Sequence, residues 1–287
     1  MSRRYAGSGG IRMNGTILVG MTDSPAARAA AEWAAQRASD RGDRLVLMSV
    51  VGGALGVVGE GAVLDDALAV TRGHLERMAE ELGAAEVRVT RGKPVEQLLA
   101  ASENADLLVI GSDYRGTGSR VARGPHGVRI AAAASCPVVV VPQSDLSGRS
   151  GVVVGVDGSD LSEAAIRFAA AEADRQGEPL IAVTAWMPVT APLGVITYPD
   201  DYRENAQHLA EEAMGLSLAG LAQDYPDLEV RRIVEAADPA ALVNRVSAEA
   251  RLAVVGSRGR GAVARFLLGS TSHDVLLTLA TATAVVR

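Results

Sequence analysis

Residues 252–271 read LAVVGSRGRGAVARFLLGST: an aliphatic strand runs into two closely spaced glycines, and a Gly-Ser pair further on opens a helix. The pattern is G-x2-G-x9-G-S, with Gly256, Gly259, Gly269 and Ser270 in its fixed places. Glycines let backbone N–H groups approach an anion with no Cβ in the way. A helix start adds unbonded N–H groups and the positive end of the helix dipole. Gly269, Ser270 and Thr271 supply that start, and the Ser270 hydroxyl suits a phosphate oxygen or a metal ion. Arg258, Arg260 and Arg265 add positive charge to a chain whose formal net charge is −6. The bland alternative is a glycine-rich turn meeting an ordinary N-cap. The placement after an aliphatic strand and before a helix favours an anion cradle.

Working outward, the same strand end recurs. DLLVIGS at 106–112 parallels LAVVGSRG at 252–259, and TILVG at 16–20 parallels VVVGVDGS at 152–159. Gly20 and Gly155 lie 135 positions apart, whereas Gly111 and Gly256 lie 145 apart. The chain is therefore an internal duplication, with about ten extra residues between the first and fourth strands of the second copy. It divides into a flexible tail (1–14), a first copy (15–142), the polar linker QSDLSGRS (143–150) and a second copy (151–287).

Strands are expected at 16–20, 45–51, 86–90, 107–110 and 138–141, and again at 152–156, 180–186, 229–234, 252–255 and 283–286. Ser24-Pro25 reads as an N-cap followed by proline at the first helical position. Asp160 with Glu163 reads as a capping box. Leu64, Leu68, Leu75, Met78 and Leu82 recur at helical spacing. Pro94 opens a short helix, and another is expected near 126–134. The proline-rich loop at 187–201 is longer than its counterpart at 52–61 and is expected to hold most of the extra residues. Strands alternating with helices demand an α/β fold with a five-stranded parallel sheet in each copy. Ligands in such sheets bind beyond the carboxyl ends of the strands, where strand order reverses.

Composition narrows the class. A length of 287 residues with 48% hydrophobic and 22% charged content fits two globular domains. Only 3% is aromatic, so the cores must be built from Ala, Val and Leu. The acidic balance argues against a nucleic-acid footprint, and no run approaches the ~20 apolar residues that span a bilayer. The N-terminal stretch has no apolar segment of a secretory signal, so a cytoplasmic location is expected. The single cysteine, Cys136, excludes an intramolecular disulfide and reads as a small packed hydrophobe. His74, His126, His208 and His273 are scattered without metal-ligand spacing. There is no nucleophile elbow, no P-loop, and no G-x-G-x-x-G after either first strand.

The pattern at 256–270, the VVVGVDGS opening and the VVGSRG strand end resemble the universal stress protein family, over about 16–142 and again over 151–287. The resemblance implies a Rossmann-like, adenine-nucleotide-binding domain in each copy and, for members with this pattern, bound ATP, with Mg held through Ser270. Asp157 would then contact the adenosine half, backbone near Ala185 the adenine edge, and Gly155 is a further candidate of the nucleotide site. Gly256, Gly259, Gly261, Gly269 and Ser270 would hold the phosphates, with Ser257, Arg258, Arg260 and Thr271 as further candidates of the nucleotide site. The alternative for Asp157 is a turn or helix-cap aspartate. The first copy departs from the pattern: Thr22 stands for Asp157, Tyr114 for Gly259, and Pro125 follows Gly124 where serine is wanted. Proline offers neither N–H nor hydroxyl, so ATP is expected in the second copy. Gly20, Gly111, Gly116 and Gly124 leave a remodelled first site open. The resemblance further implies that the final strands of the two copies pair as an intrachain pseudo-dimer, on which a homo-oligomer is built. The implied function is an ATP-binding regulator of stress or dormancy physiology, acting through its nucleotide state on an unknown protein partner. A slow nucleotide hydrolase or transferase, or a ligand-free interaction module, is the alternative. No catalytic residue stands out.

Overall fold

In the computed structural model, residues 15–52, 60–83, 86–112, 126–188, 201–259 and 268–287 are described. The first copy runs β1 (Thr16–Met21), α1 (Pro25–Arg41), β2 (Arg44–Val51), α2 (Glu60–Leu82), β3 (Glu86–Arg91), α3 (Pro94–Ser102), β4 (Leu107–Ser112), α4 (His126–Ala133) and β5 (Val138–Pro142). The second runs β6 (Val152–Gly155), α5 (Asp160–Gln176), β7 (Leu180–Trp186), α6 (Tyr202–Ser217), α7 (Leu221–Asp224), β8 (Val230–Ala236), α8 (Pro239–Val246), β9 (Leu252–Gly256), α9 (Ser270–Leu277) and β10 (Ala282–Val286). The expected tail, Tyr114, Gly116, Gly124, Pro125, Arg260, Gly261 and Arg265 lie outside the described residues.

Each copy forms a parallel sheet in which its first strand lies between its second and fourth. The two sheets join through β5 and β10 into one sheet of order β3-β2-β1-β4-β5-β10-β9-β6-β7-β8. The join is antiparallel, with Val138, Val139 and Val140 opposite Val285, Ala284 and Thr283. The expected pairing of the final strands is thus made within the chain. Alternate strand residues serve opposite layers, as the period of two requires. Ile17, Val19, Leu47 and Val109 pack under α1 and α2, while Leu18, Val46, Leu108 and Val140 pack against α3 and α4. Both layers run on through Val139, Val140, Val285 and Val286, so the core is continuous from one copy to the other.

Small residues set how near the helices come. Ala26, Ala27, Ala30, Ala31, Ala34 and Ala38 all lie on the buried face of α1. Its N-cap is Ser24, which accepts from Ala27 N at 3.2 Å, and Gly42 ends it at φ +67°. In α5 the cap differs from the sequence expectation. Ser159, extended at φ −90° and ψ 162°, accepts from Ser162 N at 3.2 Å, and Asp160 is already helical. Glu163 therefore closes no capping box and reaches Arg167 instead, at 3.7 Å.

The extra residues of the second copy also fall differently. The loop before α6 is longer than that before α2, but α6 has 16 residues where α2 has 23, which offsets it. The net gain lies after α6, where residues 218–229 and the one-turn α7 stand in place of 83–85. No helix among the described residues is long and apolar enough to cross a membrane.

Candidate functional site

Strand order reverses between β6 and β9, and a cavity of about 460 Å³ opens beyond their carboxyl ends. Gly155, Asp157, Ala185, Gly256, Arg258, Gly259, Gly269, Ser270 and Thr271 line it together. Ser257 is not on its wall. That residue is buried, and its backbone N donates to Val286 O at 2.6 Å while its carbonyl accepts from Gly269 N at 2.8 Å. The second of these bonds draws Gly269 back to the end of β9, so that α9 begins at the strand end.

Gly269 itself supplies no side-chain cap to α9. A helix start has no intrahelical acceptors for its first N–H groups, and Ser270, Thr271 and Ser272 line the cavity there. Ser272 went unnoticed in the sequence. Its Oγ donates to Gly256 O at 2.5 Å and ties the helix start to the strand. The spacing from glycine to serine carries no hint of that bond.

Asp157 sits at the mouth, after β6. Its Oδ1 accepts from Ser159 N at 3.0 Å and Ser159 Oγ at 2.7 Å, and its own N donates to Ser162 Oγ at 3.2 Å. The turn role and a place on the cavity wall are therefore held by one side chain. Its Oδ2 stands where a Cβ on Gly259 would fall. Gly256 has a different reason to lack a side chain. A Cβ there would lie 3.1 Å from Leu161 O, because the start of α5 packs onto the strand end. A Cβ on Gly269 would lie 3.1 Å from the Arg258 Cα.

The inner wall is apolar: Val183 and Ala185 from β7, Val243 from α8, and Val255 from β9. Arg258 and Asp157 bring opposite charges to the lining. Beyond β10, Arg287 is held below the ordinary arginine value by burial and by the neighbouring charge of Arg258. Among the described residues no group of three His, Cys, Asp or Glu is placed to hold a metal ion.

The first copy has a cavity at the matching place, of about 230 Å³. Its walls explain the smaller size. Met48, Val50, Leu98 and Ile110 occupy the positions of Val183, Ala185, Val243 and Val255, and each is the larger side chain. Thr22, in the place of Asp157, has its Oγ1 3.0 Å from Ser24 Oγ. Gly111 repeats the packing of Gly256: a Cβ there would collide with the Ala26 carbonyl and come within 2.6 Å of Ala27 N.

A profile of the universal stress protein family matches residues 13–142 and again 149–287. The chain belongs to the universal stress protein family. A universal stress protein of Mycolicibacterium smegmatis is 34% identical over 289 residues, covering 94% of this chain and 96% of that one. One from Mycobacterium tuberculosis strain H37Rv is 38% identical over 187 residues, a match spanning 64% of this chain and 62% of that protein's length. The crystal structure of a universal stress protein from Archaeoglobus fulgidus superposes with a TM-score of 0.69 at 18% identity, covering 95% of this chain and 98% of that chain. That likeness concerns the fold. This tandem universal stress protein thus keeps two copies of one fold with unequal cavities.

Proposed function

We propose that this universal stress protein binds one ATP per chain in the second copy and acts as a stress or dormancy regulator through its nucleotide state. The observation that carries the reading is the contrast between the two cavities. The second combines an apolar inner wall, Asp157 at its mouth, and an uncapped start of α9 beside Arg258. In this reading the adenine lies toward Val183 and Ala185, and the phosphates toward Gly259, Gly269, Ser270 and Thr271. Mg2+, when present, is held through the Ser270 hydroxyl. Arg260 and Gly261 complete the phosphate loop. The protein works in the cytoplasm, and chains associate through surfaces outside the β5–β10 join.

The first copy is the poorer host. Pro125 removes an N–H and a hydroxyl, and Tyr114 replaces a loop glycine. Each lost hydrogen bond to a charged group costs about 1.5–3 kcal/mol, so two losses weaken binding by about two to four powers of ten. The test is mass spectrometry of nucleotide released from the purified, denatured protein. Adenine nucleotide near one equivalent per chain supports the reading. Protein that releases none, and takes up none when incubated with ATP and Mg2+, refutes it.

A further inference from the structure

The two copies meet along a pseudo-twofold axis, and the residues on that axis face their own equivalents. In the sheet, Val139 pairs with Ala284, which is 145 positions on, the offset of the fourth strands. In the helix layer, Arg37 of α1 meets Glu172 of α5, and Asp40 meets Arg175. Both helix pairs are 135 apart, the offset of the first strands. Identical copies would place each of these residues against itself. Here both positions have diverged to opposite charge.

The centre of the cluster is buried and densely bonded, while Arg175 is half-buried and Asp40 lies at its exposed rim. Arg37 is 8% exposed and Glu172 is 2% exposed. Arg37 Nη2 lies 2.5 Å from Glu172 Oε1, and its Nη1 lies 3.5 Å from Asp43 Oδ2. Arg175 Nη2 reaches Glu172 Oε2 at 3.0 Å, and its Nη1 reaches Asp40 Oδ2 at 3.3 Å. Arg41 Nη1 stands 3.7 Å from Glu172 Oε1. The Arg37 guanidinium also lies over the Phe168 ring, 6.0 Å from its centroid.

We propose that this cluster is a pairing code, which makes the join of copy 1 to copy 2 the only one the chain accepts. The strands cannot discriminate. β5 and β10 are both short, aliphatic and wholly buried in the join, and either would pair with a second copy of itself. The helices do discriminate. Copy 1 on copy 1 would set Arg37 against Arg37 and Asp40 against Asp40. Copy 2 on copy 2 would set Glu172 against Glu172 and Arg175 against Arg175. Like charges forced together in a low-dielectric layer repel strongly, and a buried charge without its partner is costly. Repulsion against the wrong partner supplies specificity that the attractive edge lacks. Two chains that exchange copies therefore do so only by joining copy 1 of one to copy 2 of the other.

The test uses full-length chains carrying Cys136→Ala and Glu32→Cys, which places one dye on the exposed side of α1 in copy 1. Donor-labelled and acceptor-labelled chains are mixed, unfolded in guanidinium and refolded together. With Arg37 and Glu172 intact, energy transfer should match that of chains refolded separately and then mixed. With Arg37→Met and Glu172→Met together, the buried half of the code is neutral, only the more exposed Asp40–Arg175 half still discriminates, and transfer should rise several-fold. Either methionine alone should lower the unfolding midpoint by about 10 °C, and the pair should recover most of that loss. Should the methionine pair fail to refold, Glu172→Gln keeps the shape, removes one repulsion and should raise transfer in the same direction. Equal transfer with and without the charges overturns the proposal.

Discussion

Glycines that look alike in a motif do different things in this chain. Gly111 and Gly256 lie at the carboxyl-terminal parts of their fourth strands, under the first helix of each copy, and a Cβ at either meets backbone of that helix. Gly111 persists in the copy whose phosphate pattern is broken, which marks packing as its reason. Gly259 is exposed, and the atom nearest an added Cβ belongs to the Asp157 side chain, which can move. Gly111→Ala and Gly256→Ala should therefore each cost about 1–3 kcal/mol or more by overpacking, read as a lower denaturant midpoint. Gly259→Glu should leave that midpoint nearly unchanged and remove ATP binding, because it sets a carboxylate where phosphates are placed. Equal loss of stability in all three would merge the two classes. The residue types and spacing were legible in the sequence, but which glycine serves packing was not, because that depends on a helix lying 95 positions away from Gly256, at Leu161. Cys136 reads the same in both. It is 6% exposed, and burial followed by the charge of Asp106 pushes its thiol up to about 12. A thiol-specific reagent at neutral pH should leave native protein unmodified and label it once in denaturant. Rapid labelling of the native chain would contradict this.

At the scale of elements, strand order and kind followed from aliphatic runs, turns and the repeat: the inner strands are buried on both faces and read as unbroken runs, while the edge strands β3 and β8 are partly exposed and interleave charged residues. Two details did not follow. The cap of α5 moved to Ser159 because the turn at Gly158, with φ +74°, leaves Ser159 extended and Asp160 helical. The extra residues moved behind α6, because α6 is shorter than α2 and no local signal states a helix's length. The size of the first cavity was likewise hidden. It depends on four wall positions spread over β2, α3 and β4, none of them in a motif. Trimming those walls to their second-copy counterparts, with Met48→Val, Val50→Ala, Leu98→Val and Ile110→Val, should destabilise the first copy by about 2–4 kcal/mol. It should not confer ATP binding, because Thr22 and Pro125 remain. Tight ATP binding by the trimmed first copy, in a chain that also carries Gly259→Glu, would show that wall size alone decides occupancy.

For the whole molecule, the join of β5 with β10 was legible from the resemblance, while the ion cluster above it was not, because opposite charges 135 positions apart carry no local pattern. That cluster predicts an acid response. Burial raises the Glu172 carboxyl, but the charges and hydrogen bonds of Arg37 and Arg175 outweigh it and leave the group below its ordinary 4.5. A depressed carboxyl contributes stability above its unfolded value and loses it as pH falls through the folded one. Unfolding midpoints should therefore fall below about pH 4.5 more steeply in the parent than in Glu172→Gln. Parallel acid limbs would remove Glu172 from the account. The same asymmetry between copies underlies the functional claim, and isothermal titration of nucleotide-free protein with ATP tests it most directly. The account predicts a single strong site per chain, abolished by Gly259→Glu and weakened by Asp157→Ala. Two equivalent sites per chain, or undiminished binding in Gly259→Glu, would contradict it.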